Sequence, residues 1–220
     1  MRVLLTFIIL VIGIFTAYYM TKSSMEQKQL PVIQPRDVNS EMVDPEMVDL
    51  GIGHRIKDFS FKNQNGKDIQ LKDVKGKVFV AEYFFTTCLT ICPIMTEEMM
   101  RVQDRFRGEE DVKILSFTVN PEVDTVEAMK AYAEKHNAED GQWHFLTGSK
   151  ENLYKLARNS FFVLKPAEAK NLGDAGSDFI HTNNFVLVDQ ELRIRGYYDG
   201  TSSEEIDILM EDIELLRKEK

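Results

Sequence analysis

Cysteine is scarce in this sequence. Only two cysteines, Cys88 and Cys92, occur among 220 residues, and they lie four positions apart. Two thiols cannot build a disulfide-rich scaffold or a four-cysteine zinc site. A bridge between such close neighbours would close a loop too short to stabilise the fold much through chain entropy. We therefore expect the pair to serve chemistry rather than stability.

Basic residues are outnumbered by acidic ones. The chain has 27 lysines and arginines against 36 aspartates and glutamates, which gives a net charge of −9. A chain this acidic binds a phosphate backbone poorly, so we expect no nucleic-acid partner. Hydrophobic residues make up 43% and charged residues 29%, which are values typical of a globular protein with one medium-sized α/β core.

Charge is missing from the N-terminal segment after Arg2. Val3–Met20 contains no acidic or basic side chain. As a helix this segment would span about 27 Å, close to the thickness of a bilayer core. We expect residues 1–20 to form a single transmembrane helix in the inner membrane. The positive charge at the start predicts a cytoplasmic N-terminus, with the rest of the chain on the outer, periplasmic side.

A cleaved signal peptide is the rival interpretation of this segment. Such a peptide ends in a small-x-small cleavage site, whereas the bulky residues Tyr18, Tyr19 and Met20 stand here. No cysteine precedes Cys88, which excludes a lipid-modified N-terminal cysteine. Residues 21–50 hold three of the six prolines, and we interpret them as a solvated linker to a domain over residues 51–220.

Strands and helices alternate from about residue 51. An Asn65-Gly66 turn between two alternating segments predicts a β-hairpin. A nearly continuous apolar run at 77–85 predicts a central strand that is covered on both faces. Apolar residues at helical spacing predict helices after the cysteines, after Asp124 and at the C-terminus. Asp124 and Glu127 form a capping-box pattern before the second of these helices.

The order of elements predicts an α/β, thioredoxin-like fold with the first hairpin as an N-terminal extension. A buried strand leads into the helix at the cysteines, and a final antiparallel hairpin precedes the last helix. A flavodoxin-like sheet would share the crossover helices, but the terminal hairpin argues against it. A polar, glycine-rich loop over residues 165–180 is expected before that hairpin.

The cysteines lie where the central strand gives way to a helix. Pro93 suits the first helical turn, so Cys92 should lie at or beside the N-cap and Cys88 in the preceding turn. Unpaired N–H groups and the helix dipole lower the pKa of thiols there, and we expect both to ionise readily. Two chemistries stay open: a redox couple, or a metal site with a third ligand. Three intervening residues weaken the analogy to Cys-x-x-Cys reductases.

Four histidines are candidates for a third ligand. We interpret His54, His136 and His144 as structural or solvated residues. His181 differs, because it follows the long loop and opens the terminal hairpin. In the thioredoxin plan that loop faces the cysteine turn, and redox members usually place a proline there, which this chain lacks. Two thiolates and one imidazole form a ligand set suited to copper.

Three motifs together resemble the Sco/SenC family. They are the Cys-x-x-x-Cys-Pro of Cys88–Pro93, the pair His181-Thr182 and the segment Asn120–Thr125, and the resemblance covers about Asp58–Leu216. It implies a membrane-tethered, thioredoxin-fold copper protein that helps to assemble the copper A centre of cytochrome c oxidase subunit II.

The resemblance also implies the ligands. Cys88, Cys92 and His181 correspond to the copper ligands of the family. The family's Asp-Pro-x-x-Asp-Thr-Pro is altered at its ends, where this chain has Asn120 and Val126. Asp124 is kept, although its capping-box pattern already accounts for it.

Several functional hypotheses follow from this set. Copper, as Cu(I) or Cu(II), would be delivered to subunit II or another copper-requiring protein, or the cysteine pair would reduce the partner's copper-ligand cysteines. A Cys88–Cys92 disulfide would expel copper. The competing hypotheses are a membrane-anchored thiol–disulfide oxidoreductase without metal and a redox or copper sensor. We expect a metallochaperone, and thiol–disulfide reduction is the enzymatic activity that it could have in addition. Met95, Met99 and Met100 are interpreted as core and surface residues rather than additional ligands.

Overall fold

The computed structural model describes residues 9–18, 29–43, 53–163 and 183–219. Two compact units are present, Met1–Leu30 and Pro31–Lys220. In the first unit, residues 9–18 are helical. Among the helices of these described ranges, none has both the length and the apolar character that crossing a membrane requires.

A mixed β-sheet forms the centre of the second unit. The described residues contribute seven strands: β1 (Ser60–Asn63), β2 (Asp68–Gln70), β3 (Val78–Phe84), β4 (Val112–Thr118), β5 (Trp143–Thr147), β6 (Asn184–Val188) and β7 (Ile194–Asp199). Their order across the sheet is β2-β1-β5-β4-β3-β6-β7.

Five helices accompany the sheet within the described part of this unit. They are α1 (Leu71–Val74), α2 (Cys92–Arg105), α3 (Val126–Lys135), α4 (Lys150–Leu156) and α5 (Ser203–Lys218). A π-helical turn, Ala157–Phe161, extends α4. Helix α2 packs against α5, and α3 packs against β5 and β1.

The strand directions confirm the thioredoxin-like prediction. The central strands β3, β4 and β5 are parallel, whereas β6 joins β3 in antiparallel direction and pairs with β7 as a hairpin. The predicted N-terminal hairpin is present as β1 and β2, with Phe61 opposite Ile69, and it joins the sheet through β5. The antiparallel terminal hairpin rules out the all-parallel flavodoxin-like alternative.

The hydrophobic core surrounds β3, as the apolar run predicts. All seven residues of β3 are buried. On one side, the aromatic rings of Phe59, Phe61 and Tyr83 contact the ring of Phe117 at centroid distances of 5.2–5.8 Å. Burial of this many large apolar side chains fixes the strand that leads directly to the cysteines.

The segment 31–43 is not a solvated linker. The backbone N–H of Ile33 donates to the carbonyl oxygen of Ile194 at 2.8 Å, and the Val43 side chain is only 3% exposed in the core. The compact unit therefore begins at Pro31 rather than at the predicted boundary of residue 51. The prolines led to the linker interpretation, but this segment folds through short 3-10 turns, which leave no helical or strand period in the sequence.

The side chain of Gln34 ties this segment to the chain that follows it. Its Oε1 atom accepts hydrogen bonds from the backbone N–H groups of Gly53 and His54, at 2.9 and 3.0 Å. Gln34 itself is buried. The segment is thus held by both apolar burial and specific hydrogen bonds.

Candidate dithiol site

The dithiol turn, residues 85–92, connects the C-terminal end of β3 to α2. The N–H of Cys88 donates to the carbonyl oxygen of Phe85 at 3.2 Å, which closes the first part of the turn. Cys92 is the first residue of α2, after Ile91 at the N-cap, and Pro93 follows it in the first helical turn. Proline is tolerated there because the first N–H groups of a helix have no partner inside the helix. The predicted placement of both cysteines is confirmed.

The two thiols meet at the start of α2. Both are free, and the backbone N–H of Cys92 donates to the sulfur of Cys88 at 3.5 Å. The hydroxyl of Thr90 lies 3.5 Å from the same sulfur. Cys88 is 8% exposed and Cys92 is 1% exposed. A backbone N–H group at the N-terminus of α2 therefore stabilises negative charge on the Cys88 sulfur.

The pKa values of the two thiols move in opposite directions. Burial opposes ionisation of Cys88, but hydrogen bonds from Thr90 and Cys92 outweigh it and lower the pKa of this thiol to about 7. Burial raises the pKa of Cys92, and the nearby Cys88 and Glu82 raise it further. The expectation that both thiols ionise readily is therefore correct for Cys88 and wrong for Cys92. Cys92 is the more deeply buried thiol, and charge on Cys88 disfavours a second thiolate beside it.

The predicted third ligand, His181, lies outside the described residues, as do Thr182 and the predicted loop at 165–180. Over the ranges that the structure does describe, no three His, Cys, Asp or Glu side chains come together as a metal-binding group. The structure thus brings together two of the three predicted ligands, Cys88 and Cys92.

The other three histidines have structural surroundings. The Nε2 atom of His54 lies 2.8 Å from the carbonyl oxygen of Ser160, and burial lowers the pKa of this histidine. His136 is the C-cap of α3, where its ring contacts Tyr132. Burial lowers the pKa of His144 to about 4. Met95 and Met99 are fully buried in the core, in line with their interpretation as packing residues.

A sequence model of the family described as SCO1/SenC matches residues 52–216, which is more than half of the chain. The chain belongs to the SCO1/SenC family. The match covers the whole thioredoxin-like sheet, from β1 to β7, and the dithiol turn.

Individual members of the SCO1/SenC family are similar in sequence and fold. The SCO1 protein homolog of Bacillus subtilis (strain 168) is 34% identical over 164 residues, which cover 74% of this chain and 82% of that relative. A protein of Stutzerimonas stutzeri described as copper-binding is 28% identical over 137 residues, 61% of this chain and 64% of that protein.

A solved structure gives the same result for the fold. It is the structure of BsSco, reported with a disulfide switch and as a member of the Sco family of cytochrome c oxidase assembly proteins. It is 32% identical and superposes with a TM-score of 0.64, over 78% of this chain and 98% of that one.

Asp124 has a different role in this SCO1/SenC member from the one its sequence pattern suggests. The N-cap of α3 is Thr125, whose hydroxyl accepts from the N–H of Ala128 at 3.3 Å, so the predicted capping box of Asp124 and Glu127 is wrong. The Asp124 side chain is fully buried and turns towards the dithiol turn, where it accepts hydrogen bonds from Thr86. Its position one residue before the N-cap hides this role in the sequence.

Glu82 is a residue that the sequence reasoning missed. It lies in the middle of β3, is 2% exposed and accepts a hydrogen bond from the Ser116 hydroxyl at 2.6 Å. The Trp143 indole N–H donates to the same hydroxyl at 2.8 Å. Burial raises the pKa of Glu82 to about 7. The signal was available, since Glu82 is the one charged side chain inside the otherwise apolar run at 78–85.

Proposed function

We propose that this chain is a membrane-tethered copper-binding protein that serves the assembly of cytochrome c oxidase. It holds copper as cargo and delivers it to the copper A site of subunit II, or it reduces the copper-ligand cysteines of that site. The observation that carries the proposal is the 3.5 Å contact between the Cys88 sulfur and the Cys92 N–H. This contact gathers both thiols of the chain in one turn, in a family whose relatives include a protein described as copper-binding.

The chemistry of the two cysteines suits copper. Thiolates are soft ligands that favour Cu(I). Cys88 gives up its proton near neutral pH, whereas Cys92 holds its proton more tightly. Copper binding therefore has to release the Cys92 proton, so we expect affinity to rise with pH. Burial of both sulfurs keeps water away from the thiolates once the metal is bound.

His181 supplies the third ligand in this proposal. Its support is the resemblance of Cys88, Cys92 and His181 to the family's ligand set. An imidazole beside two thiolates extends the range of the site to Cu(II). Three protein ligands leave room for a ligand of the partner to enter, which is the step that transfer of copper requires.

Copper titration tests the proposal. Reduced protein should take up one Cu(I) per chain in competition with a chromogenic chelator. The change His181→Ala should abolish the Cu(II) absorption bands and weaken Cu(I) binding less, because both thiolates remain. The matched control is His136→Ala, which removes a histidine at the end of α3. Absence of a tight Cu(I) site would contradict the proposal, and unchanged Cu(II) absorption in His181→Ala would reject the third ligand.

The membrane tether is part of the same proposal. Its support is the uncharged run Val3–Met20 after Arg2. In this arrangement residues 1–20 anchor the chain in the inner membrane, and the dithiol site faces the outer, periplasmic side. Copper insertion into subunit II would then take place on that side.

A second candidate function is thiol–disulfide reduction without metal, and the asymmetry of the two thiols favours it. Cys88, with its pKa of about 7, would attack a partner disulfide as a thiolate and release one partner thiolate. Cys92 would then attack Cys88 in the mixed disulfide and release the second. Its proton passes to a leaving thiolate, so two electrons move from Cys88 and Cys92 to the partner.

Turnover in copper-free buffer separates the two candidates. A metal-independent reductase should reduce a disulfide-containing peptide catalytically when an external reductant regenerates the dithiol. In that case Cys92→Ser should accumulate a mixed disulfide through Cys88, and Cys88→Ser should form none. A protein that binds Cu(I) tightly but shows no such turnover supports copper delivery alone.

A further inference from the structure

The dithiol turn is tied to the core through one buried carboxylate. Asp124 Oδ1 accepts from the Thr86 backbone N–H at 3.3 Å and also from the Thr86 hydroxyl. Its other oxygen, Oδ2, accepts from the hydroxyl of Thr118, the last residue of β4. Asp124 thus joins the end of β4 to the dithiol turn with a fully buried side chain.

The segment that holds Asp124 is itself fixed. The Asn120 N–H donates to the Thr118 hydroxyl at 2.9 Å, and the Asp124 N–H donates to the Asn120 carbonyl oxygen at 2.9 Å. The carboxylate therefore stands on a closed turn between β4 and α3. A buried carboxylate that accepts several hydrogen bonds holds its donors strongly, because losing one leaves charge buried without compensation.

Thr86 transmits this restraint to the cysteines. It lies inside the turn that the Cys88 N–H closes on the Phe85 carbonyl oxygen. Where Thr86 is held, the Cys88 sulfur stays at the start of α2, within 3.5 Å of the Cys92 N–H. Cys92 has its own restraint, since its carbonyl oxygen accepts from the Thr96 hydroxyl at 2.8 Å, and that hydroxyl contacts Tyr132 of α3 at 2.7 Å.

We infer that Asp124 is a positioning residue of the copper site, which acts through Thr86 to hold Cys88 against the N-terminus of α2. This inference rests on the proposed copper function. It gives Asp124 the task of holding the dithiol turn, whereas the helix is capped by Thr125. Preorganised thiols hold copper more tightly, because the turn loses less conformational freedom when the metal binds.

The test compares two hydroxyl donors to the same carboxylate. Thr86→Val removes the hydroxyl donor on the dithiol turn, so that from this turn only the backbone N–H of residue 86 still bonds Asp124, and Thr86→Ala repeats this with a side chain too small to clash. Thr118→Val, the matched control, removes a donor to Asp124 from β4 and leaves Thr86 in place. Thr86→Ser keeps the hydroxyl and should match the wild-type protein in both measurements described below.

Two measurements distinguish positioning from mere stability. In the reduced, metal-free protein, amide hydrogen exchange of residues 86–92 should accelerate at least about tenfold in Thr86→Val and Thr86→Ala, since a lost buried hydrogen bond is worth about that factor or more. Cu(I) should pass to a competing chelator about tenfold more readily in the same variants. Thr118→Val should change both quantities less than about threefold, even where its unfolding occurs at lower urea concentration.

Each outcome decides the inference. It is overturned if Thr118→Val matches Thr86→Val in both measurements, because the effect is then general destabilisation. It is also overturned if the Thr86 variants leave exchange of the turn unchanged. If the unchanged protein holds no Cu(I), the proposed function fails, while the exchange data on metal-free protein still decide whether Asp124 positions Cys88.

Discussion

At Cys88, a buried thiol ionises more readily than an ordinary one, because the start of a helix supplies donors that burial alone would not. The N–H of Cys92 and the Thr90 hydroxyl both reach its sulfur. Cys92 lies inside the same helix start, yet burial of its sulfur outweighs a backbone hydrogen bond at Phe85, and its pKa is raised. One thiol of the pair therefore ionises near neutral pH, and the other keeps its proton.

Alkylation of the reduced, metal-free protein checks this difference. The rate at Cys88 should fall as pH decreases through about 7, since its thiolate persists down to the lowered pKa. Cys92 should react only at distinctly more alkaline pH. Peptide mass spectrometry after iodoacetamide treatment assigns the two sites, and Cys92→Ser and Cys88→Ser serve as controls. Equal rates at both cysteines over the whole pH range would contradict the asymmetry.

Glu82 is a second residue whose burial has a measurable consequence. Its folded-state pKa is raised from an ordinary 4.5 to about 7, so folding favours the protonated acid. The associated stabilisation is complete below pH 4.5 and is lost as pH rises through about 7. Above that pH the folded protein carries a buried charge that the unfolded chain would carry in water.

The neutral replacement Glu82→Gln should show this directly. Urea unfolding should give nearly equal stability for the two proteins at pH 4, and the variant should gain up to about 3 kcal/mol at pH 8, at about 1.4 kcal/mol per pKa unit. The exposed acid Glu97 on α2 provides the control Glu97→Gln. A gain that is the same at both pH values would mean that ionisation of Glu82 is not its cause.

At the scale of elements, the segment 31–43 shows how irregular chain can belong to a folded unit. It pairs its backbone with β7 through Ile33 and buries Val43, although it contains only short 3-10 turns. Its hydrogen bonds join parts of the chain that are far apart in sequence. Its stability therefore depends on tertiary contacts rather than on local propensity.

Val43→Ala tests whether this segment is part of the core. The change removes two buried methyl groups and should lower the free energy of unfolding by about 1–3 kcal/mol. Arg36→Ala, in the same segment, removes a side chain that is 58% exposed and should have little effect. Urea unfolding of the full chain measures both. If Val43→Ala behaves like Arg36→Ala, the segment is a linker after all.

At the scale of the whole molecule, copper binding and disulfide formation should exclude each other, because both use the sulfurs of Cys88 and Cys92. Thiolates bind copper, whereas a Cys88–Cys92 disulfide has no thiolate to offer. We expect copper loading to protect both thiols from oxidation. Exposure of copper-loaded and metal-free protein to oxidant, followed by thiol alkylation, measures this protection. Equal loss of thiols in both forms would mean that the cysteines are not the metal ligands, and the metal-free reductase would become the better proposal.

The proposed anchor also belongs to this scale. Protein extracted from the membrane fraction should begin within the first few residues of the chain, because the segment Val3–Met20 ends in the bulky residues Tyr18, Tyr19 and Met20 where a signal peptide would have small ones. N-terminal sequencing measures this, and a start near Thr21 would identify a cleaved signal peptide instead. Chain that is absent from the membrane fraction would contradict the tether itself.

Periodicity and turn chemistry were enough to predict most of the fold. The hairpin across Asn65-Gly66, the central strand and the closing helix depend on neighbours in sequence, and all three are found where expected. The Ser202 hydroxyl, for example, accepts from the Glu205 N–H at 3.4 Å as the cap of α5. Such signals are local, so a single sequence contains them.

The proximity of Cys88 and Cys92 was likewise determined by the sequence. The two cysteines are four positions apart and a proline follows the second, which places both sulfurs at the start of one helix. The roles of Asp124, Glu82 and the segment 31–43 were decided only by the tertiary structure. Asp124 follows a capping pattern, but burial beside Thr86 and Thr118 gives its carboxylate better donors than the helix N-terminus does. The different pKa values of the two thiols have the same origin, since desolvation depends on what the whole fold packs around a group and not on its neighbours along the chain.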